Sequence, residues 1–221
     1  MTVVASIAVS VCSVPHGVRN SHTKWATLSA TKLCSVISPK VSKEHIPAGM
    51  PGVNIHRTPF GGRNPEYYSE DAVFSGLMAS EVIQGAAEKG VYCYLKHFAA
   101  NEQETHRNGV CTWLTEQAYR EVYLKPFEIA VKEGGSTAIM SSFNRVGTTW
   151  TGGDYRLLTT VLRNEWGFEG TVICDFASGQ SHMDLIQMLY AGGDLWLDTL
   201  APSNSLSSGN AADVYGVQEA M

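Results

Sequence analysis

Between Val53 and Asp198, short apolar runs alternate with segments of helical period, and Gly, Pro or Ser marks most changeovers. The apolar runs are Val53–Arg57, Val91–Leu95, Thr137–Ser141, Thr171–Cys174 and Leu195–Leu197. Between them, Ser69 with Glu70 and Asp71 opens a helix whose apolar residues run from Val73 to Ala86 and which Gly90 stops. A second helix runs from Thr115 to Lys132 with a kink at Pro126, a third from Asp154 to Trp166, and a fourth from His182 to Tyr190. Strands and helices in alternation predict a parallel sheet built from βα units. A closed eight-stranded barrel takes about 250 residues, and only about 150 here carry the pattern. The expected fold is therefore α/β, an incomplete TIM-type (β/α)8-like barrel with parallel strands.

Within that pattern, Thr171-Val172-Ile173-Cys174 rises from Gly170 and ends in Asp175. An ionised carboxylate out of water costs several kcal/mol unless it is paired, so Asp175 is poor packing material. A barrel presents its reactive groups at the C-terminal ends of its strands, which is where Asp175 falls. The competing reading is a helix cap, a duty Ser178 could equally perform. Other polar residues collect at the same ends: Arg57 and Arg63, Lys96 and His97, Asn144 and Arg145. Parallel strands bring these groups to one mouth. Positive neighbours favour the charged form of an acid, so Asp175 is expected to be ionised at neutral pH and suited to nucleophilic attack.

The bulk properties exclude several classes of function. The net charge of −5 and the lack of a Lys/Arg run argue against a nucleic-acid or anionic-membrane partner. No stretch of about 18 apolar residues is present to span a membrane. The five cysteines, Cys12, Cys34, Cys93, Cys111 and Cys174, have no C-x-x-C spacing. That scatter fits reduced thiols in a cytoplasmic protein better than disulfides or zinc, and no metal or cofactor is expected. A secretory signal is not favoured, since Met1–Pro15 lacks a basic start. Residues 1–50 read as a poorly specified leader without family match, 51–200 as a partial barrel domain, and 201–221 as a polar tail.

Seven stretches, in order, carry a resemblance: Gly61-Gly62-Arg63-Asn64-Pro65-Glu66-Tyr67-Tyr68-Ser69-Glu70-Asp71, Lys96-His97-Phe98, Asn101-Glu102-Gln103-Glu104 with Arg107, Arg120-Glu121-Val122-Tyr123-Leu124-Lys125-Pro126-Phe127, Met140-Ser141-Ser142-Phe143-Asn144, Leu162-Arg163-Asn164-Glu165-Trp166-Gly167-Phe168 and Cys174-Asp175-Phe176. Together they resemble the catalytic domain of glycoside hydrolase family 3. The resemblance implies a retaining β-glucosidase that removes β-linked glucose from non-reducing ends, with Asp175 as nucleophile. It implies that Arg63, Lys96 and His97 hold the hydroxyls of the reacting sugar. Phe143 and Phe176, which stand where many members have Tyr and Trp, are implied sugar contacts. Glu104 and Arg107 look like a pair bracing the Lys96-His97 segment; a solvated loop ion pair is the alternative.

Retaining hydrolysis needs one attacking carboxylate and a second carboxyl about 5–5.5 Å away to protonate the leaving oxygen. In the family that second group usually comes from a following domain, and no residue here is assigned to it. The implied ligand is a small β-glucoside or oligosaccharide, and a homo-oligomer could cover open sheet edges. The alternative is an inactive or non-catalytic truncated fragment that binds sugar or assembles without the acid/base domain. A Schiff-base lyase using Lys96 is a third class, disfavoured by the neighbouring residues. Adjacent strand residues point to opposite faces, so Lys96 and His97 can both reach a sugar only if the backbone there is irregular. His56 and His182 are expected to be structural.

Overall fold

The computed structural model describes residues 46–48 and 51–198. The rest of the expected leader and the 201–221 tail lie outside the described residues. Four parallel strands make the main sheet, in the order β1 (Ile46–Ala48), β2 (Val91–Phe98), β4 (Ala138–Ser141), β7 (Thr171–Ile173). Three two-residue strands form a second, small sheet: β3 (Cys111–Thr112), β5 (Arg145–Val146) and β6 (Thr149–Trp150). The fold is thus α/β, with the parallel strands of an incomplete (β/α)8-like barrel.

Two expected strands are reduced. Val53–Arg57 forms no ladder; Gly52 bridges Lys96, and Val53 N–H donates to the Lys96 carbonyl at 2.9 Å. This stretch continues the line of β1 along β2, beyond the Ala48–Cys93 pair. Its polar groups instead meet loop and side-chain partners, such as His56 N–H donating to the Ser69 carbonyl. Leu195–Leu197 keeps a single bridge, from Leu195 to Ile173, although the Cys174 and Ala177 N–H groups donate to the Leu195 and Leu197 carbonyls at 3.0 and 2.8 Å.

Helix α1 (Ala72–Ala87) starts one residue after Asp71, whose carboxylate accepts from Phe74 N–H at 2.8 Å. That bond satisfies one of the four free N–H groups of the first turn. Ser69, placed at the start by sequence, lies outside the helix and accepts from Asp71 N–H. The Thr115–Lys132 segment is split in two. Thr115 caps a short turn at Glu116–Ala118, a widened turn follows at Tyr119–Tyr123, and α2 (Lys125–Lys132) begins with Pro126 in its first turn. Proline has no N–H to give, so it is tolerated there and would break a continuous helix. Helix α3 (Arg156–Glu165) carries widened i→i+5 turns, and α4 (Leu185–Ala191) is capped by Asp184 rather than starting at His182.

One face of β2 packs on this helical layer. Val91, Cys93 and Leu95 alternate inward, as a pleated strand requires. Phe98 follows, its ring 5.1 Å from Phe127 of α2 and 5.8 Å from Trp166. Helix α1 approaches α2 at Gly76, where a Cβ would lie 2.7 Å from that of Ile129. Among the described residues no helix is long and apolar enough to cross a membrane.

Candidate active site

The sheet register shifts between Leu95 and Phe98, where the Lys96–His97 and Phe98–Ala99 peptides are cis. The strand is irregular where the sequence requires it to be for Lys96 and His97 to share a side. Their contacts are linked through the Arg63–Glu66 pair. Lys96 Nζ is 2.9 Å from Glu66 Oε1, and Arg63, gripped by Glu66 at 2.6 and 2.9 Å, reaches His97 Nε2 at 3.4 Å. His97 Nε2 in turn lies 3.7 Å from Asp175 Oδ2. Arg63, Lys96, His97 and Asp175 are therefore brought together from two strand ends and the Gly-rich loop that follows Arg57.

The hydrogen-bond network assigns the proton on His97. The Tyr67 hydroxyl donates to the Asn101 carbonyl at 2.9 Å, so at 3.3 Å from His97 Nδ1 it acts as acceptor. Nδ1 then carries the proton, and Nε2 offers a lone pair to the Arg63 N–H. Burial, with the charges of Arg63 and Lys96, pushes the imidazole well below its ordinary range. His97 is neutral, which removes one of the three cations expected around Asp175.

Asp175 is 8% exposed. Its Oδ1 accepts from Phe176 N–H at 2.8 Å, and its buried Oδ2 has no hydrogen-bond partner among the described residues. Burial pushes its pKa up to about 6, against the Phe176 N–H and the charges of Arg63 and Lys96. Desolvation thus outweighs the two cations. At neutral pH the group is still ionised by about ten to one. Glu66 moves the other way. Burial raises it, but Lys96 and Arg63 together hold it below its ordinary value.

The remaining expected residues are placed differently. Phe143 is buried, its ring 4.4 Å under the Arg107 guanidinium, and its carbonyl faces His182 Nε2 at 2.9 Å. Phe176 is exposed at the rim beside Asp175. Glu104 is 3.5 Å from both Arg63 and Arg107, so the contact to the Lys96-His97 segment runs through Arg63. Asn144 donates to the Ala99 carbonyl at 3.1 Å, while Arg145 turns to the Asn108 carbonyl. His56 contacts the Tyr67 carbonyl at 3.0 Å, a structural duty like that of His182.

Sequence reasoning passed over Glu66 and Tyr67. Their signal was present: they stand three and four residues after Arg63, and a turn there folds them back on it (Glu66 N–H to Arg63 carbonyl, 2.9 Å). Among the described residues no group of three or more His, Cys, Asp or Glu is placed to hold a metal ion.

A parallel half-barrel with a buried, partly unpaired carboxylate at a strand end, ringed by donors, defines a barrel domain of the kind that carries reactive groups at its C-terminal rim. The family model for the glycosyl hydrolase family 3 N terminal domain matches residues 22–200, and the chain belongs to that family. Over 145 residues it is 47% identical to beta-glucosidase B of Emericella nidulans, covering 66% of this chain and 17% of that protein. It is 46% identical over 128 residues to an exo-alpha-(1->6)-L-arabinopyranosidase of Bifidobacterium longum, covering 58% of this chain and 17% of that one. Beta-glucosidase 3B of Thermotoga neapolitana, solved with glucose, superposes with a TM-score of 0.76 at 36% identity, covering 91% of this chain and 27% of that one. A beta-glucosidase of Kluyveromyces marxianus gives 0.79 at 26% identity, covering 92% and 24%. The chain spans less than a fifth of the length of the first of these relatives.

Proposed function

We propose that the chain is the nucleophile-bearing part of a retaining β-glucosidase. Asp175 Oδ2 attacks the anomeric carbon of a β-glucoside, the bond to the leaving oxygen breaks, and a glycosyl ester on Asp175 results. Water then releases the sugar. Arg63, Lys96 and His97 bind the sugar hydroxyls, Phe176 borders the leaving group, and Phe143 acts from beneath Arg107. One observation carries this reading: a buried carboxylate oxygen that no group among the described residues hydrogen-bonds, set beside a neutral imidazole and two cations. Such an oxygen keeps its lone pairs for an incoming electrophile.

The same reading takes a small β-glucoside as ligand, with neither nucleic acid nor membrane as partner, and a homo-oligomer covering the sheet edges. It takes the barrel part to begin within the expected 1–50 leader, since β1 pairs with β2 and the family match starts at residue 22, and to end near 200 before a 201–221 tail. A cytoplasmic setting rests on the scattered cysteine spacing alone, since Cys93 and Cys174 are buried and burial pushes each up to about 12, which keeps them unreactive in any compartment.

The test is incubation of the chain with a 2-deoxy-2-fluoro-β-glucoside bearing a dinitrophenyl leaving group, which departs without a proton. The expected result is one added glycosyl mass on the peptide containing Asp175, absent in Asp175→Asn. Folded protein that stays unlabelled would overturn the assignment and favour a non-catalytic fragment.

A further inference from the structure

We propose that Asn54 is a positioning residue that presents Lys96 and His97 to the sugar by clamping the His97 main chain; this rests on the reading of Asp175 as nucleophile. Asn54 is fully buried. Its Oδ1 accepts from His97 N–H at 2.8 Å and its Nδ2 donates to the His97 carbonyl at 3.0 Å. One carboxamide thus satisfies both polar groups of one residue. The need for it is local. β2 slips out of register with β4 between Leu95 and Phe98, and buried main-chain groups left without ladder partners must find others.

The preceding carbonyl, that of Lys96, accepts from Val53 N–H at 2.9 Å. Three successive main-chain groups of the sugar-facing dipeptide are therefore held by Val53 and Asn54. The amide can sit only one way round, because exchanging its O and N would set acceptor against acceptor and donor against donor. Its second Nδ2 proton faces Glu102 Oε1 at 3.5 Å, a carboxyl that is itself 4% exposed. Burial pushes Glu102 up to about 7, against Arg57, Asn54 and the Ile55 main chain. Neither Asn54 nor Glu102 touches Asp175 or the mouth in any contact described above; they act through His97.

The experiment compares the full chain with Asn54→Ala, Asn54→Asp, Glu102→Gln and, as a control for general destabilisation, Leu158→Ala in the buried face of α3. Each is read by the labelling rate with the 2-fluoro glucoside, by melting temperature, and by NMR of the His97 imidazole. Asn54→Ala and Asn54→Asp are expected to label about 100-fold more slowly, the size of effect that a misplacement of about 1 Å produces. Both should shift the His97 imidazole signals. Glu102→Gln keeps an acceptor for Nδ2 and should label like the parent. Leu158→Ala should lose melting temperature while keeping its labelling rate and its His97 signals. Asn54→Asp keeps the acceptor for His97 N–H and stands in if Asn54→Ala does not fold. Unaltered labelling in a folded Asn54 variant, or an equal loss of labelling in Leu158→Ala, would overturn the clamp. If the parent chain itself fails to label, the nucleophile reading falls, and the NMR arm decides the clamp alone: unmoved His97 signals in the Asn54 variants reject it.

Discussion

His97 turns an unprotonated Nε2 toward Asp175 Oδ2 at 3.7 Å, too long for a hydrogen bond. The proton that could have closed that gap sits on Nδ1, facing Tyr67. A charged imidazole would have neutralised Asp175 and tied up its free oxygen. The neutral ring leaves the carboxylate dependent on Arg63 and Lys96 for its charge, and those two only partly offset its burial.

The pH dependence of labelling follows. Asp175 attacks as the carboxylate, so the rate should hold above its folded pKa and fall as pH drops through about 6. Rates of adduct formation measured from well below to well above that value check it. A midpoint near the ordinary carboxyl range would mean that burial does not dominate at this position.

The same shift affects stability with a definite sign. A carboxyl whose folded pKa exceeds its unfolded value of 3.8 leaves the native state unpenalised at low pH, and the penalty grows as pH rises from 3.8 to about 6, above which it is complete. Asp175→Asn removes a penalty of at most about 3 kcal/mol above that range, since each pKa unit corresponds to about 1.4 kcal/mol. Urea unfolding should show the variant gaining stability over the parent at neutral pH and losing that advantage in acid. An equal difference at both pH values would contradict the assignment.

Tyr67→Phe removes the group that fixes the His97 tautomer. The hydroxyl lies 3.3 Å from His97 Nδ1 and 2.9 Å from the Asn101 carbonyl, and both are buried. Leaving such groups unpaired costs about 1–3 kcal/mol. The 15N signals of the ring should report a loss of the Nδ1–H form, and labelling should slow. A ring that keeps its tautomer would show that Arg63 alone sets it.

Gly170→Ala tests the seating of the strand that ends in Asp175. A Cβ there would overlap the Thr137 carbonyl, which also accepts from Thr171 N–H at 2.9 Å. Main chain cannot swing aside as a side chain can, so β7 must move away from β4. The expected cost is about 1–3 kcal/mol, typical of overpacking, with slower labelling because Asp175 moves with its strand. A denaturation midpoint equal to the parent's would show that the strands can separate freely.

The sheet was legible where strands pair along their length. Thr137–Ser141 and Thr171–Cys174 are short apolar runs next to glycines, and the structure has strands within them at Ala138–Ser141 and Thr171–Ile173. Val53–Arg57 looks the same in sequence, but its residues bond to loops and to the shifted stretch of β2, a tertiary circumstance no local pattern carries. The meeting of Arg63, Lys96, His97 and Asp175 was legible because strand ends in a parallel sheet share one side. Their charge states were not. Neutral His97 and a raised Asp175 both come from burial, which depends on what lies above the strand ends. Asn54 and Glu102 were invisible for a related reason: a polar residue in an apolar run announces no partner until the backbone opposite it has left its ladder.

Glu66 bonds to Lys96 and Arg63 alike, and so occupies the two positive groups that an acidic sugar would seek. With Asp175 ionised as well, and Glu104 3.5 Å from Arg63, those two cations face at least as many anions. A uronate or a phosphorylated hexose entering this mouth would gain no Coulombic attraction, while an uncharged hexose loses nothing by the balance. On the proposed reading, the carboxylate that Lys96 and Arg63 share favours neutral over anionic saccharides.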